Sequence, residues 1–380
     1  MVDGARCGVA RGRIKASADR DDVVVLHAPG AAAAVTTLSS AAAAPCAWTR
    51  ARVPAPIVAV VINSGNANAA TGRRGVDDVR STAVHAAKLL GCAPDQVLVC
   101  STGVIGVPMP MDRLLPALSD AALNLGDHGA RAARAILTTD ITVKEVACEV
   151  EGVRVAGMAK GSGMIHPNMG TMLAFLVTDA EVEPADLQAL LGPIVDRSFN
   201  CVTVDGDTST NDTVILQATG HGGPARPGSP RYAALARALE AACVKLARDI
   251  AADGEGATTL LEVVVQGLDS DALAREAARA VARSPLVKSA IHGRDPNWGR
   301  VVGALGAAGA KGLDSLDLDF CGVPVLRGGQ VLAWDERAAS AAMKAPEVRI
   351  VARLDGPGRG RAWGCDLSAD YVRINADYRS

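Results

Sequence analysis

Lys160-Gly161-Ser162-Gly163-Met164-Ile165-His166-Pro167-Asn168-Met169-Gly170-Thr171 is a polar, glycine-rich segment that runs straight into an apolar run from Met172 to Val177. A threonine at such a junction is a poor nucleophile unless a base stands beside its hydroxyl. Scission of the Gly170–Thr171 bond supplies that base, because it frees an α-amine on Thr171 itself, with an ordinary pKa of roughly 7.7–8.0. Gly170 carries no side chain, so the strained backbone of an N→O acyl shift is sterically open there. The strand that follows anchors the new terminus. Each residue also has a plainer reading. Gly-Thr before a strand is often a turn, His166 a loop or core residue, and Lys160 a solvated charge. The apolar residues 155–159 that precede Lys160 favour a placed ammonium.

Other motifs fail on particular residues. Gly303 to Gly312 is glycine-rich, but Ala310 precedes Lys311 where a phosphate loop needs glycine. Gly358-Arg359-Gly360 opens no predicted helix, so it is no dinucleotide fingerprint. Asp205, Asp207 and Ser209 begin like a calcium loop, yet Thr210 takes its sixth position and Leu216 its twelfth. The six histidines stand singly, none at metal-ligand spacing, and no metal is expected.

The elements that must position these residues interleave along the chain. Apolar runs predict strands at 57–62, 96–100, 172–177, 214–218 and 261–265. Val146, Cys148 and Val150 alternate with polar or small residues, then Glu151-Gly152 turns into Val153 to Val155, a hairpin with one buried face. Helical periodicity covers 76–90, 111–125 (with Pro116 delaying its start), 184–198, 230–252 and 270–284. Gly220 to Ser229 reads as a loose connection, and alternating Tyr371, Arg373 and Asn375 as a strand-like tail. Hairpins mixed with helices imply a layered α/β sandwich.

Composition narrows the partners. A chain of 380 residues suggests two or three structural units. With 39 basic and 41 acidic residues the net charge is −2, which argues against an electrostatic nucleic-acid binder, and 3% aromatics leaves few stacking platforms. Nine cysteines without a C-x-x-C pair fit neither a disulfide framework nor zinc and point to the reducing cytoplasm. Residues 1–22 lack an apolar leader core, and the alanine-rich tract 30–44 is too weakly apolar for a membrane span.

Several ordered segments resemble the ornithine acetyltransferase family, the bifunctional glutamate N-acetyltransferases and amino-acid acetyltransferases of arginine biosynthesis. They are Asn63-Ser64-Gly65-Asn66-Ala67-Asn68-Ala69, Ser101-Thr102-Gly103-Val104-Ile105-Gly106, Thr138-Thr139-Asp140 and Lys160 to Phe175. Phe199-Asn200, Val204 to Asp212, Asp253 to Thr258, Gly293 to Arg300 and Ile374 to Tyr378 continue the pattern to the C-terminus. The resemblance implies an α/β sandwich related to the self-processing aminopeptidases, with an N-terminal threonine nucleophile. It implies self-cleavage before Thr171 into an α chain (1–170) and a β chain (171–380), which stay together as α2β2. It further implies transfer of acetyl from N-acetylornithine to glutamate through an acetyl-threonine. No cofactor is implied, although some members also take acetyl-CoA as donor.

By the same resemblance Thr171 is the nucleophile, and the Thr102 hydroxyl and Gly103 amide form an oxyanion hole. Substrate contacts fall on Thr138 or Thr139, Lys160, Thr171, Glu255, Asn375 and Ser380. Lys160 suits an α-carboxylate and Glu255 an amine. Asp205 to Asp212 is expected near the cleft or as a solvated loop. The family's usual residue before the nucleophile is alanine, and here it is Gly170. The looser match of the first sixty residues leaves room for a paralogue with another acyl donor or acceptor. Two further rivals are a related amidase or aminopeptidase in which water is the acceptor, and an unprocessed binding or scaffold protein without activity.

Overall fold

The computed structural model describes residues 2–16, 19–166 and 172–377. The described residues build two sheets. The first contains β1 (Arg6–Ala10), β2 (Val23–Thr36), β3 (Ala55–Asn66), β4 (Val97–Val104), β5 (Lys144–Val150), β6 (Val153–Lys160), β7 (Leu173–Glu181) and β8 (Thr213–Pro224). Their order is β4-β3-β2-β8-β7-β6-β5, with β1 on the first half of β2 and β8 on the second half. Within it β3 and β4 are parallel, as are β7 and β8. The second sheet holds β9 (Leu260–Leu268), β10 (Asp317–Phe320), β11 (Val323–Arg327), β12 (Gln330–Val331), β13 (Glu347–Arg353) and β14 (Gly358–Cys365), in the order β12-β11-β10-β13-β9-β14.

Helices cover these sheets. They are α1 (Ala44–Arg50), α2 (Gly72–Leu90), α3 (Met111–Leu123), α4 (Gly129–Ala135), α5 (Pro184–Arg197), α6 (Pro230–Ala252), α7 (Asp271–Arg283), α8 (Pro285–His292), α9 (Trp298–Ala307), α10 (Glu336–Ala342) and α11 (Ala369–Asp377). Leu187 and Leu191 of α5 with Leu239 and Leu246 of α6 share one core with Leu176 and Leu216 of the first sheet. Val79 of α2 and Leu118 of α3 pack with Val61 and Val99 in another. The second sheet has its own core, in which Val281 of α7 and Val301 of α9 meet Val263 and Ile350. Each sheet buries an apolar face under helices, so the fold is the expected layered α/β sandwich. The described helices contain none long and apolar enough to cross a membrane. All nine cysteines are free.

The helix expected over 230–252 has those bounds. Ser229 caps it, its Oγ accepting from the Tyr232 amide at 3.1 Å, and Pro230 fills the first turn where no donor is needed. The hairpin pairs Val150 with Val153, and Glu151 and Gly152 both take positive φ, +48° and +76°. That is the turn whose twist matches its strands.

Three expectations need correction, and one tract left without an assignment gains one. Residues 220–224 are the end of β8, where Gly223 and Pro224 pair with Ala180 and Glu181, so the loose connection is shorter. The tail carrying Tyr371, Arg373 and Asn375 is helix α11, in which Asn375 Nδ2 donates to the carbonyl of Tyr371 one turn back at 3.1 Å. Pro116 does not delay α3, which starts at Met111 and includes it. The alanine-rich tract supplies the second half of β2 and the start of α1, and is paired on both sides by β3 and β8.

A Cβ at Gly152 meets no atom within 4 Å, so Gly152→Ala tests backbone strain alone. The expected loss is about 1–2 kcal/mol of unfolding free energy, read as a lower urea midpoint with unchanged slope.

Candidate active site

Strand ends from the first sheet converge with the α6 exit and α11 on one open cleft enclosing about 610 Å³, lined among others by Thr102, Gly103, Thr138, Thr139, Lys160, Glu255 and Asn375. Seven of the residues expected to act therefore come together, from five separate parts of the chain. Gly170, Thr171 and Ser380 lie outside the described residues.

Thr102 and Gly103 sit at the end of β4, opposite Ser64 and Gly65 of β3. Gly103 has φ +131°, and a side chain there would collide with the backbone of Gly65 and Asn66, so the two strands close up only on glycine. Asparagine side chains stiffen the junction. Ser101 Oγ donates to Asn63 Oδ1 at 2.7 Å, and Asn211 Nδ2 donates to the carbonyls of Ala67 (2.6 Å) and Ser101 (2.9 Å). The buried Thr102 hydroxyl has no hydrogen-bond partner among the described residues. Buried hydroxyls normally have one, so an unused donor facing a cleft is a candidate ligand contact.

Lys160 ends β6 with 1% of its surface exposed. Its ammonium begins a row of alternating charge. Asp140 Oδ2 lies 3.9 Å from Lys160 Nζ, Asp140 Oδ1 accepts from Lys144 Nζ at 2.8 Å, and Lys144 Nζ also donates to Asp253 Oδ2 at 2.6 Å. The Gly161 amide donates to Asp140 at 2.6 Å. Burial would raise the Asp140 carboxyl, but the ammonium groups of Lys160 and Lys144 hold it well below the usual carboxylate range. Burial pulls Lys160 below the usual lysine range, with Asp140 opposing. Lys144 is absent from the sequence reading. Its partner Asp253 is 109 residues away, and nothing local marks it.

Glu255 follows α6, its amide donating to the Ser162 carbonyl at 2.8 Å. Its carboxylate fills the space that a side chain at Gly163 would need, and it accepts from Asn375 Nδ2 at 2.9 Å. Thr138 and Thr139 both line the cleft, Thr139 Oγ1 lying 2.7 Å from Ser162 Oγ. His166 stays off it, beside Thr203 Oγ1 at 3.1 Å, with burial and then Arg283 and Arg279 pushing its imidazole down to about 4.

The loop Asp205 to Asp212 is not simply solvated. Ser209, Thr210 and Asn211 line the cleft, residues the sequence reading placed only as a group. Asp205 accepts from the amides of Met164 (2.6 Å) and Ile165 (2.9 Å), and Asp212 Oδ1 accepts from the Met172 amide at 2.8 Å. The two aspartates thus hold both flanks of residues 167–171. Burial raises both carboxyls, Asp205 to about 6 and Asp212 well above the usual range, against these amide bonds. No cluster of metal-ligating side chains occurs among the described residues.

Such a fold and cleft, with an unused hydroxyl at a strand end beside a buried ammonium, fit an α/β enzyme that handles small polar substrates. The ArgJ family model matches residues 5–380. The arginine biosynthesis bifunctional protein ArgJ of Symbiobacterium thermophilum is 49% identical, covering 100% of this chain and 97% of its own, and that of Thermus thermophilus is 47% identical over 99% and 98%. A solved chain of the same name from Bacillus halodurans is 43% identical, with a TM-score of 0.53, over 54% of this chain and 98% of its own. The chain belongs to the ArgJ family. It is an acyltransferase that carries out acetyl transfer in arginine biosynthesis.

Asp205 gives a pH test. Its folded pKa is raised, so the native state holds a proton that the unfolded state has released. The stabilisation is full below the ordinary carboxylate pKa of about 3.9 and is lost as pH rises through about 6. Chemical denaturation at pH 4, 5, 6 and 7 should show this falling component in the native protein, and Asp205→Asn should lack it.

Proposed function

We propose that the chain cleaves itself between Gly170 and Thr171, and that the resulting 1–170 and 171–380 chains move acetyl from N2-acetyl-L-ornithine to L-glutamate by a ping-pong route through acetyl-threonine. The observation that carries this reading is the buried Thr102 hydroxyl, unpartnered among the described residues and beside Gly103 on the same cleft as Lys160 and Glu255.

In the processing step the Thr171 hydroxyl attacks the Gly170 carbonyl and expels its own amine. Water then hydrolyses the ester, leaving a Gly170 carboxylate and a free Thr171 amine. In the transfer that amine takes the hydroxyl proton as Oγ adds to the acetyl carbonyl. Thr102 Oγ1–H and Gly103 N–H receive the oxyanion, and the leaving ornithine nitrogen takes the proton back. Glutamate's amine then attacks the acetyl ester, the bond from the acetyl carbon to Thr171 Oγ breaks, and the proton lost by glutamate's nitrogen passes through the Thr171 amine to the departing hydroxyl. Both substrates are small amino acids with one carboxylate in common, which Lys160 suits. Glu255, with Asn375, meets the donor's side-chain amine, and Thr138, Thr139 and Ser380 supply further hydrogen bonds. The amide bond is cut without wasteful hydrolysis only if water is kept from the ester. We assign the cleaved chains to an α2β2 assembly in the cytoplasm. No cofactor enters the steps, and acetyl-CoA is a second donor to screen.

Intact mass spectrometry tests the scheme. Two fragments meeting at 170/171 are expected, with one acetyl adduct on the later fragment after N-acetylornithine, and neither in Thr171→Ala. Acetyl transfer by Thr171→Ala overturns it, and free acetate formed without glutamate indicates an amidase. Thr102→Val removes a donor with no partner to lose among the described residues. Its folding stability should change by less than about 1 kcal/mol, while kcat falls by about 10²–10³.

A further inference from the structure

A second groove, enclosing about 720 Å³, lies where the second sheet meets the end of α5 and the turn after it, and five arginines line it: Arg197, Arg275, Arg349, Arg359 and Arg361. None belongs to the cleft described above. Glu262 and Asp271 are the carboxylates on its wall, and both are engaged. Glu262 takes Arg349 Nε at 3.1 Å, Arg248 Nη1 at 3.6 Å and Trp363 Nε1 at 3.2 Å. Asp271 Oδ1 accepts the backbone amide of Arg359 at 2.8 Å. Arg197 pairs with Glu240 at 3.2 Å, outside the groove. Arg275, Arg359 and Arg361 have no carboxylate partner among the described residues.

The fold concentrates these charges. Arg359 and Arg361 stand two apart on β14, hence on one face of it. Gly360 between them faces α7, where a side chain would collide with the backbone of Ala274 and Arg275. The helix therefore closes onto the strand and delivers Arg275 to the same groove. The Arg361 guanidinium lies 4.8 Å from the centre of the Trp363 ring, which holds its plane. Like charges gathered in a concavity repel unless an anion enters.

We propose that this groove binds a small anion bearing a diphosphate. Planar guanidinium forks match phosphoryl oxygens in pairs. Three of them with no carboxylate at ion-pair distance among the described residues, in a groove where arginines outnumber carboxylates five to two, call for a ligand with several closely spaced negative charges. The Gly358-Arg359-Gly360 stretch is thus phosphate-directed through its arginines, although it is no dinucleotide fingerprint.

Isothermal titration of the full chain with inorganic pyrophosphate and, separately, ADP at low ionic strength tests this. Saturable binding is expected, weakening at least tenfold in Arg359→Ala and in Arg361→Ala, and weakening as salt is raised. Arg361→Lys, which keeps the charge and loses the fork, should fall between. Equal affinity for the two probes means that the diphosphate alone is read, and tighter ADP binding adds a nucleoside contact. Arg359→Ala should keep the native rate of acetyl transfer and so reports on the groove alone. No binding of either probe at millimolar concentration, or binding unchanged in both alanine variants, overturns the proposal.

Discussion

The carboxylates of Asp205 and Asp212, seven residues apart, grip amide N–H groups on either side of residues 167–171. Everything proposed for Thr171 depends on this clamp. A nucleophile must be held within a fraction of an ångström of its target, and a sequence with glycines at 161, 163 and 170 offers no side chains at those positions to do so. The fold substitutes a half-buried and a fully buried carboxylate reaching in from another segment. Burial acts against them, raising both pKa values, and the amide hydrogen bonds offset part of that cost. The same loop supplies Asn211, which ties β3 to β4 and so sets the direction of Thr102 and Gly103. One polar loop thereby fixes both the chain beside the proposed nucleophile and the proposed oxyanion donors.

A second constraint runs through charge. Lys160, Asp140, Lys144 and Asp253 alternate in sign, and the last of them caps the end of α6. Removing one member of such a buried row leaves an uncompensated charge, a cost of about 3–5 kcal/mol. The row ties the helix that covers the first sheet to the ammonium facing the cleft. Within it Lys144 holds two carboxylates, while Lys160 sits farther from Asp140 than a hydrogen bond. In the proposed function the outer ammonium is the one left to donate to a substrate carboxylate.

Elements with strong local signals were legible. Residues 230–252 carry a cap, a proline in the first turn and an apolar face, and no tertiary contact had to override them. The alanine-rich tract was not legible as strand and helix, because alanine has little preference for a strand and pairing by β3 and β8 decides its state. Tyr371, Arg373 and Asn375 mislead by a short alternation that is not a buried face, since none of the three is buried in α11. At the site, the family resemblance named residues that the structure gathers into one cleft, but spacing alone did not reach them. The Lys144–Asp253 pair and the two aspartate clamps join residues 40 or more apart, and only the folded chain brings these together.

The second sheet explains why the cleft needs the rest of the chain. Asp366, just after β14, accepts from the amides of Thr258 (2.7 Å) and Thr259 (2.9 Å) and lies 2.7 Å from His292 Nδ1, and Ser368 Oγ donates to the Gly256 carbonyl at 2.6 Å. Burial would raise the Asp366 carboxyl, but the Thr258 hydroxyl (2.6 Å) and amide, then His292 and the Thr259 amide, hold it below the usual carboxylate range. These bonds fasten the segment after Glu255 to the start of α11, and so set Asn375 against the Glu255 carboxylate. In the proposed reaction the two substrates share an α-carboxylate and differ at the side-chain end. Lys160, proposed to read the common end, stands on the first sheet, whereas Glu255 and Asn375, proposed to read the differing end, hang from the junction with the second. A shift of that junction would alter the choice of acyl donor and leave the strand-borne chemistry in place, which gives substrate specificity and bond-breaking separate structural supports.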